Sequence, residues 1–265
     1  MSLSGKPNYK GKTILVVEDT DINKDIISVF LQATRVSIDF ASNGQEAIDV
    51  FSANPDKYDL ILMDIQMPVM DGLEATKRIR ALDLPKAKIV PIIALTASVF
   101  LEDIQACLDA GMNNHIGKPI NTEIMLDVLK KYMPETADQS PQESQAEPEE
   151  DEYAKFMPYI EVKDGITRFM NDKNLYMQFL GKFQGDKFCE DLINSIKLGD
   201  FKTMSVMAHT IKGVASNLAL KKLYELSKEI EMQAKLNIDP SKYIDELKEV
   251  IQKTMQMITE LTPKQ

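Results

Sequence analysis

The stretch that decides the fold is Leu60-Ile61-Leu62-Met63-Asp64, an apolar run that ends in a carboxylate and continues into Ile65-Gln66-Met67-Pro68-Val69-Met70-Asp71-Gly72. A strand that is buried on both faces of a parallel sheet reads as continuous hydrophobicity. A charge on its last residue is then placed at the carboxyl edge of the sheet, where ligands bind in open α/β folds. We therefore predict that Asp64 takes part in chemistry at that edge.

Other apolar runs end in polar residues in the same way. The run Ile14–Val17 stops at Glu18-Asp19, a later run stops at Thr96, and a short run near Ile116 stops at Lys118-Pro119. The predicted strands lie near Ile14, Ile38, Leu60, Ile89 and Ile116, and the predicted helices begin near Asp21, Gly44, Gly72, Val99 and Asn121. This alternation predicts a parallel sheet with helices on both faces.

The composition describes a soluble globular protein of about two domains, since 44% of the 265 residues are hydrophobic. No apolar stretch reaches the roughly 20 residues needed to span a bilayer, and the first residues lack the apolar middle of a signal peptide. We therefore expect a cytoplasmic location without direct membrane contact. Cys107 and Cys189 lack metal-site spacing, which favours reduced core thiols.

The acidic residues are concentrated in one segment. Eight acids and no Lys or Arg lie between Pro134 and Ala154, together with three prolines, and they carry most of the formal net charge of −10. Such a composition cannot bury enough apolar surface to order itself. We predict a disordered linker at residues 134–155 between domains at residues 12–133 and 156–263. Neither domain has a basic patch, so we expect no nucleic-acid partner.

After this segment the strand pattern disappears and apolar residues recur at helical spacing. The stripes are Leu175, Phe179 and Phe183; Cys189, Leu192, Ile193 and Ile196; Phe201, Met204, Ala208, Ile211, Ala215 and Leu218; Leu223, Leu226 and Ile230; and Leu247, Val250 and Ile251. We predict an all-α antiparallel domain of the four-helix-bundle type.

The polar ends of the predicted strands define a chemical site in the first domain. Glu18, Asp19 and Asp64 would repel one another strongly unless a cation lay between them. Oxygen ligands alone favour Mg²⁺, which is commonly shared with phosphate oxygens. Thr96 and Lys118 supply a hydroxyl and an ammonium that can hold such oxygens. The pattern therefore predicts a phosphoryl group on Asp64.

These motifs resemble the receiver domain of response regulators in two-component signalling, over about residues 12–133. The motifs are Val17-Glu18-Asp19, Met63-Asp64 with Met67-Pro68 and Asp71-Gly72, Leu95-Thr96-Ala97, and Lys118-Pro119. The resemblance implies a flavodoxin-like, doubly wound, five-stranded parallel sheet. It also implies that Asp64 is the phosphoacceptor and that Thr96 and Lys118 contact the phosphoryl group. Glu18, Asp19, Asp64 and the backbone carbonyl of Gln66 would hold Mg²⁺.

One residue departs from the receiver pattern. The family usually has Tyr or Phe three residues before the Lys, whereas this chain has His115. This departure fits a receiver used for relay, and we interpret His115 as a partly buried histidine at a strand edge rather than a catalytic group.

The second domain contains His209 within Ala208-His209-Thr210-Ile211-Lys212-Gly213. At about 100° per residue His209 lies roughly 120° from the apolar stripe of its helix, so we predict that it faces water. An imidazole can accept a phosphoryl group, and Lys212 one turn away could steady the added oxygens. By itself, H-x-x-K-G is a short motif, and a lone surface His most often has no role.

The surrounding sequence resembles a histidine phosphotransfer (HPt) domain over about residues 159–261. The resemblance makes His209 the phosphorylated histidine. Family members often place a polar side chain from the next helix beside this His, and Glu231 and Gln233 are both candidates.

Together the two resemblances imply a phosphorelay module like the carboxyl end of hybrid sensor histidine kinases. The stretch Lys10–Thr13 resembles the join between kinase core and receiver, which allows the chain to be part of such a protein. No Gly-rich ATP-binding pattern precedes the receiver. The expected partners are a histidine kinase core and a downstream receiver. The alternatives are a noncatalytic scaffold with an idle His209 and, because Asp19-Thr20-Asp21 resembles the haloacid-dehalogenase nucleophile motif, a Mg²⁺-dependent phosphatase.

Overall fold

The computed structural model describes residues 7–97, 101–134, 153–183 and 188–262. The chain divides into two compact units, Met1–Ser144 and Gln145–Gln265. Each unit is described by itself below.

The first unit is built on a five-stranded sheet in which every neighbouring pair is parallel. Its strands are β1 (Thr13–Val17), β2 (Ser37–Ala41), β3 (Leu60–Asp64), β4 (Ile92–Thr96) and β5 (Asn114–Gly117), in the order β2-β1-β3-β4-β5. This is the flavodoxin-like order, and it confirms the predicted fold class. Its helices are α1 (Asp21–Gln32), α2 (Gly44–Ala53), α3 (Gly72–Ala81), α4 (Pro85–Ile89), α5 (Leu101–Asp109) and α6 (Thr122–Tyr132).

Both faces of the central strands are buried, which explains their continuous hydrophobicity. On one face Leu15, Ile61 and Met63 share a cluster with Phe51 of α2 and Ile79 of α3. The alternate strand residues point to the opposite face and are also inaccessible to solvent. The sheet is therefore covered on both sides, and its polar groups emerge where the strands end.

Side chains at the helix starts fix where three of the helices begin. Asn43, Asp71 and Asn121 each accept a hydrogen bond from a backbone N–H in the first turn of α2, α3 and α6, respectively. Each bond satisfies one of the N–H groups that a helix start leaves without an intrahelical acceptor. The helices therefore begin directly after the loops that lead out of the strands.

The fourth strand ends at Thr96 as predicted, but its predicted position near Ile89 was wrong. Ile89 is the last residue of the short helix α4, and the following strand begins at Ile92. Pro85 occupies the first turn of α4, where a fixed φ favours a helix start. The predicted start of the next helix at Val99 lies outside the described residues, and α5 is described from Leu101.

The second unit is a helical bundle, as predicted. Its helices are α7 (Val162–Arg168), α8 (Lys173–Phe183), α9 (Phe188–Leu198), α10 (Phe201–Asn217), α11 (Lys221–Lys235) and α12 (Ile244–Leu261). α10 packs against α9 and α11, and α12 packs against α8, α9 and α11. The predicted apolar stripes supply buried residues to this core, among them Phe179, Leu192, Ile211 and Leu247.

The predicted linker falls largely outside the described residues, because residues 135–152 are not among them. Within its last residues, Ala154–Phe156 form a 3-10 helix, and both Tyr153 and Phe156 are buried. Helical structure of the second unit is thus present before residue 156.

In the described parts of the chain, no helix combines the length and the apolar composition needed to span a bilayer.

Candidate functional site: an acidic pocket and a buried histidine network

The first candidate site lies at the carboxyl edge of the sheet. Asp64 is the last residue of β3, and Glu18 and Asp19 directly follow the neighbouring strand β1. Thr96 ends β4 on the other side of β3, and Lys118 follows β5. The parallel arrangement therefore brings the predicted residues to one edge of the sheet.

The three acids form a tight cluster that Lys118 partly neutralises. Carboxylate oxygens of Glu18, Asp19 and Asp64 all lie within 4.8 Å of one another. The Nζ atom of Lys118 donates to Asp64 Oδ2 at 2.6 Å and to Glu18 Oε2 at 2.9 Å. Asp64 is 2% exposed and Glu18 is fully buried. An ammonium and three carboxylates thus share one nearly dry pocket.

Burial and the neighbouring negative charges raise the pKa values of two of these acids. Burial, together with the repulsion from Glu18 and Asp19, raises the pKa of Asp64 to about 8 despite the Lys118 ammonium. Burial and the neighbouring Glu18 raise the pKa of Asp19 to about 6. Asp64 and Asp19 therefore lack enough positive charge around them to stay ionised as readily as in water.

Glu18 and Lys118 remain charged, because the pKa of the Glu18 carboxyl is lowered and the pKa of the Lys118 ammonium is raised. Burial opposes ionisation of Glu18, but the charge of Lys118 and a hydrogen bond from Asn23 lower its pKa. Burial acts against the Lys118 ammonium, but Asp64 and Glu18 outweigh it and raise its pKa. The pocket therefore contains one firmly ionised acid, one ammonium and two acids that ionise reluctantly.

Asn23 was missed by the sequence analysis. Its Nδ2 donates to Glu18 Oε1 at 3.0 Å from the first turn of α1, and its side chain is almost completely buried. The sequence pattern indicated only that a helix begins near Asp21. Its role could not be predicted from the spacing, because tertiary packing decides which side chain of the first turn of α1 meets Glu18.

The loop after β3 is held close to Asp64. The backbone N–H of Gln66 donates to Asp64 Oδ1 at 3.4 Å, and the backbone N–H of Gly72 donates to the Ile65 carbonyl at 2.8 Å. A Cβ atom at Gly72 would lie 2.1 Å from the backbone oxygen of Asp64. Only glycine fits there, so Gly72 allows α3 to begin directly beneath the strand end.

The pocket has the donor set that a small hard cation needs. Its ligands are oxygen atoms, and Mg²⁺ binds in proteins through one or two carboxylates while keeping several waters. The raised pKa values of Asp19 and Asp64 show that added positive charge would be favourable there. The residues present therefore fit a divalent cation.

The second candidate site is centred on His209 of α10, and the prediction that His209 faces water was wrong. His209 is only 5% exposed, and Lys212 is 8% exposed. The side chain lies toward α11, where the carboxylate of Glu231 accepts from both His209 and Lys212. The apolar stripe correctly identified one buried face of α10. The face that carries His209 and Lys212 is also buried, because these side chains pair with Glu231 of α11.

Glu231 is the polar neighbour that the sequence left undecided. Its Oε1 lies 3.1 Å from His209 Nδ1 and accepts from Lys235 Nζ at 2.6 Å. Gln233 instead donates to Glu229 on the same helix at 3.0 Å. Burial opposes ionisation of Glu231, but its bonds to His209 and Lys212 outweigh this effect and lower its pKa. An ionised Glu231 thus organises one imidazole and two ammonium groups.

His115, the departure from the receiver pattern, lies half-buried on β5 opposite Ala94 of β4. The peptide bond between Lys118 and Pro119 is cis.

Models of two known families match the two parts of the chain. A model of the response regulator receiver domain matches residues 14–130, and a model of the Hpt domain matches residues 184–256. The matched ranges contain the acidic pocket and His209, respectively. The chain therefore contains a response regulator receiver domain followed by an Hpt domain, the two kinds of domain that two-component phosphorelay proteins combine.

Its relatives include hybrid histidine kinases. The aerobic respiration control sensor protein ArcB of Escherichia coli (strain K12) is 31% identical over 224 residues, which cover 82% of this chain and 27% of ArcB. Hybrid signal transduction histidine kinase L of Dictyostelium discoideum is 41% identical over 124 residues, which cover 45% of this chain and 7% of that kinase. The chain therefore spans less than a third of either relative.

Among solved structures, the receiver domain of sensor histidine kinase PA1611 from Pseudomonas aeruginosa PAO1 is 38% identical. The overlap covers 46% of this chain and 97% of that domain, with a TM-score of 0.42.

Proposed function

We propose that Asp64 accepts a phosphoryl group from the phosphohistidine of a histidine kinase and that His209 accepts or donates this group in a further relay step. The observation that carries the proposal is the convergence of Glu18, Asp19 and Asp64 with Lys118 at one edge of the sheet. Such a pocket joins a nucleophilic oxygen to groups that can offset phosphate charge.

In the first step, a carboxylate oxygen of Asp64 attacks phosphorus and forms a P–O bond. The P–N bond of the donor phosphohistidine breaks, and the donor imidazole leaves with the electron pair and takes up a proton. Lys118 already contacts Asp64 Oδ2, so its ammonium is in place to meet the arriving phosphoryl oxygens. Thr96 is proposed as the hydroxyl donor to the same oxygens.

We assign the Mg²⁺ site to the carboxylates of Glu18, Asp19 and Asp64 and to the backbone carbonyl of Gln66. When bound, Mg²⁺ supplies positive charge that favours ionised carboxylates and offsets charge on the phosphoryl oxygens. The chain's contribution is to gather carboxylate oxygens of Glu18, Asp19 and Asp64 within 4.8 Å of one another before the ion arrives.

In the second step, His209 Nε2 attacks the phosphorus of an aspartyl phosphate, a P–N bond forms, and the P–O bond breaks to release the carboxylate. Glu231 beside Nδ1 favours the tautomer in which Nδ1 carries the proton, which leaves a lone pair on Nε2. Lys212 would give up its bond to Glu231 and donate to the new phosphoryl oxygens instead. Because Nε2 is buried, transfer requires local exposure of the ring.

The proposed partners are a histidine kinase, which supplies the phosphoryl group, and a further receiver, which exchanges it with His209. We also propose that the chain acts in the cytoplasm, which suits the two free buried thiols, Cys107 and Cys189.

The test is labelling of the full chain with acetyl phosphate, read by intact mass with and without Mg²⁺. One phosphoryl group should be added in the presence of Mg²⁺ and none after Asp64→Asn. Asp71→Asn is the matched control, because it removes a nearby carboxylate but retains a good helix N-cap. Equal labelling of the Asp64→Asn variant would exclude Asp64 as the acceptor.

His209 has a competing structural interpretation, which its burial favours: a histidine that only pairs with Glu231. Labelling with phosphoramidate distinguishes the two. A relay histidine should give an acid-labile, base-stable adduct that His209→Gln abolishes and His115→Gln leaves unchanged. Absence of any such adduct on the unsubstituted chain would support a structural His209.

A further inference from the structure

We propose that Asn23 is a positioning residue that holds Glu18 in the orientation needed for Mg²⁺ binding. The inference deepens the proposed function and rests on it, because it assumes that the acidic pocket binds a divalent cation.

The two oxygen atoms of Glu18 have different partners. Oε1 accepts from Asn23 Nδ2 at 3.0 Å and from the backbone N–H of Thr20 at 3.3 Å. Oε2 accepts from Lys118 Nζ at 2.9 Å. Since an ionised carboxylate can only accept, the Asn23 amide must present its NH₂ group to Glu18. One oxygen is thus bound to the start of α1 and the other to the loop after β5.

Asn23 is itself held firmly. Its side chain is 1% exposed, and its backbone N–H donates to the Thr20 carbonyl at 3.1 Å in the first turn of α1. The amide therefore belongs to a rigid element rather than to a mobile surface loop. A donor on such an element fixes its acceptor more precisely than a loop side chain does.

Glu18 needs this support because of its length and its surroundings. A glutamate has one more rotatable side-chain bond than an aspartate, so its carboxylate has more orientations to lose. Without Asn23, the buried carboxylate would keep Lys118 and Asp19 as side-chain partners but would lose the side-chain donor that holds Oε1 beside α1. Mutation of a residue that hydrogen-bonds a metal-ligating carboxylate typically lowers metal affinity by 10–100-fold.

The experiment measures the dissociation constant for Mg²⁺ alone, by titration calorimetry on the full chain. Asn23→Ala should weaken binding about ten-fold. Asn43→Ala is the matched control, because it removes the hydrogen bond of a half-buried Asn that caps α2, and the described bond of Asn43 is to Glu46 and not to a pocket acid. The control should lower thermal stability and leave the dissociation constant unchanged.

A double-mutant cycle separates positioning from general stability. If Asn23 acts through Glu18, Asn23→Ala should change affinity by no more than about two-fold in a Glu18→Ala background. An undiminished loss in that background, or unchanged affinity in the single Asn23→Ala variant, would overturn this inference alone. Absence of Mg²⁺ binding by the unsubstituted chain would overturn the proposed function together with the inference.

Discussion

At the scale of single residues, the ionised forms of Asp64 and Asp19 are unfavourable in the pocket when no metal is bound. The pKa of Asp64 is raised to about 8 and that of Asp19 to about 6, in both cases chiefly by burial. The folded protein therefore binds protons on these acids more tightly than the unfolded chain does. It follows that the pocket favours folding while protonated and opposes folding once ionised.

We predict that metal-free stability falls as pH rises from about 4 to about 8, the window between the ordinary Asp pKa and the raised values. Denaturation of the full chain in EDTA should show the fall. Asp19→Asn should flatten it and add about 1–2 kcal/mol at pH 8, after allowance for the partial exposure of that side chain. Stability that rises with pH over this range would show that Lys118 dominates the pocket.

Glu231 gives a second prediction at this scale. Glu231→Gln retains an acceptor for His209 Nδ1 but removes the charge that faces His209, Lys212 and Lys235. We expect phosphorylation of His209 by phosphoramidate to slow by about ten-fold or more, since a less basic imidazole is a weaker nucleophile. The unfolding free energy should also fall by about 1–3 kcal/mol, because Lys212 loses a buried counter-charge.

Gln233→Glu is the control, because Gln233 has no contact with His209 among the hydrogen bonds described and donates to Glu229 instead. Equal labelling rates for Glu231→Gln and the unsubstituted chain would show that Glu231 does not tune the imidazole.

Residue identity was the part of the site that the sequence predicted best. Asp64, Glu18, Asp19, Thr96 and Lys118 lie at strand ends, and a parallel sheet brings strand ends together whatever the details of packing. Asn23 and the choice of Glu231 over Gln233 could not be predicted in this way. They depend on which helix face meets a particular carboxylate or imidazole, which is a property of tertiary packing.

At the scale of secondary-structure elements, the position of Asp64 depends on how closely α3 approaches β3. Gly72→Ala would place a Cβ atom 2.1 Å from the Asp64 backbone oxygen, so backbone must move. We expect a loss of about 1–3 kcal/mol in stability and slower labelling of Asp64 by acetyl phosphate.

Gly181→Ala in α8 is the comparison, because a Cβ atom there has no neighbour within 4 Å. It should be neutral or slightly stabilising, since Ala favours a helix over Gly by about 1 kcal/mol. Unchanged labelling and stability in Gly72→Ala would show that the loop adjusts without moving Asp64.

Element boundaries were predicted well where side chains cap helices or strands are continuously apolar. The strand expected near Ile89 was wrong because Ile89 closes the short helix α4 between Pro85 and the next strand. The orientation of His209 was wrong because helical periodicity identifies an apolar face but not a second face buried by ion pairs.

At the scale of the whole molecule, the proposed relay uses two phosphoryl acceptors of different chemistry, the aspartate Asp64 and the histidine His209. An aspartyl phosphate is an acyl phosphate that hydroxylamine cleaves, whereas a phosphohistidine is stable in base and labile in acid. Phosphorylated Asp64 and phosphorylated His209 can therefore be distinguished within one polypeptide by their chemical stability.

The most direct test follows both signatures over time in the full chain treated with acetyl phosphate and Mg²⁺. The account predicts a hydroxylamine-sensitive label on Asp64 first, a base-stable label on His209 later, and neither label after Asp64→Asn. A base-stable label on His209 that forms at the unsubstituted rate in Asp64→Asn would contradict the relay.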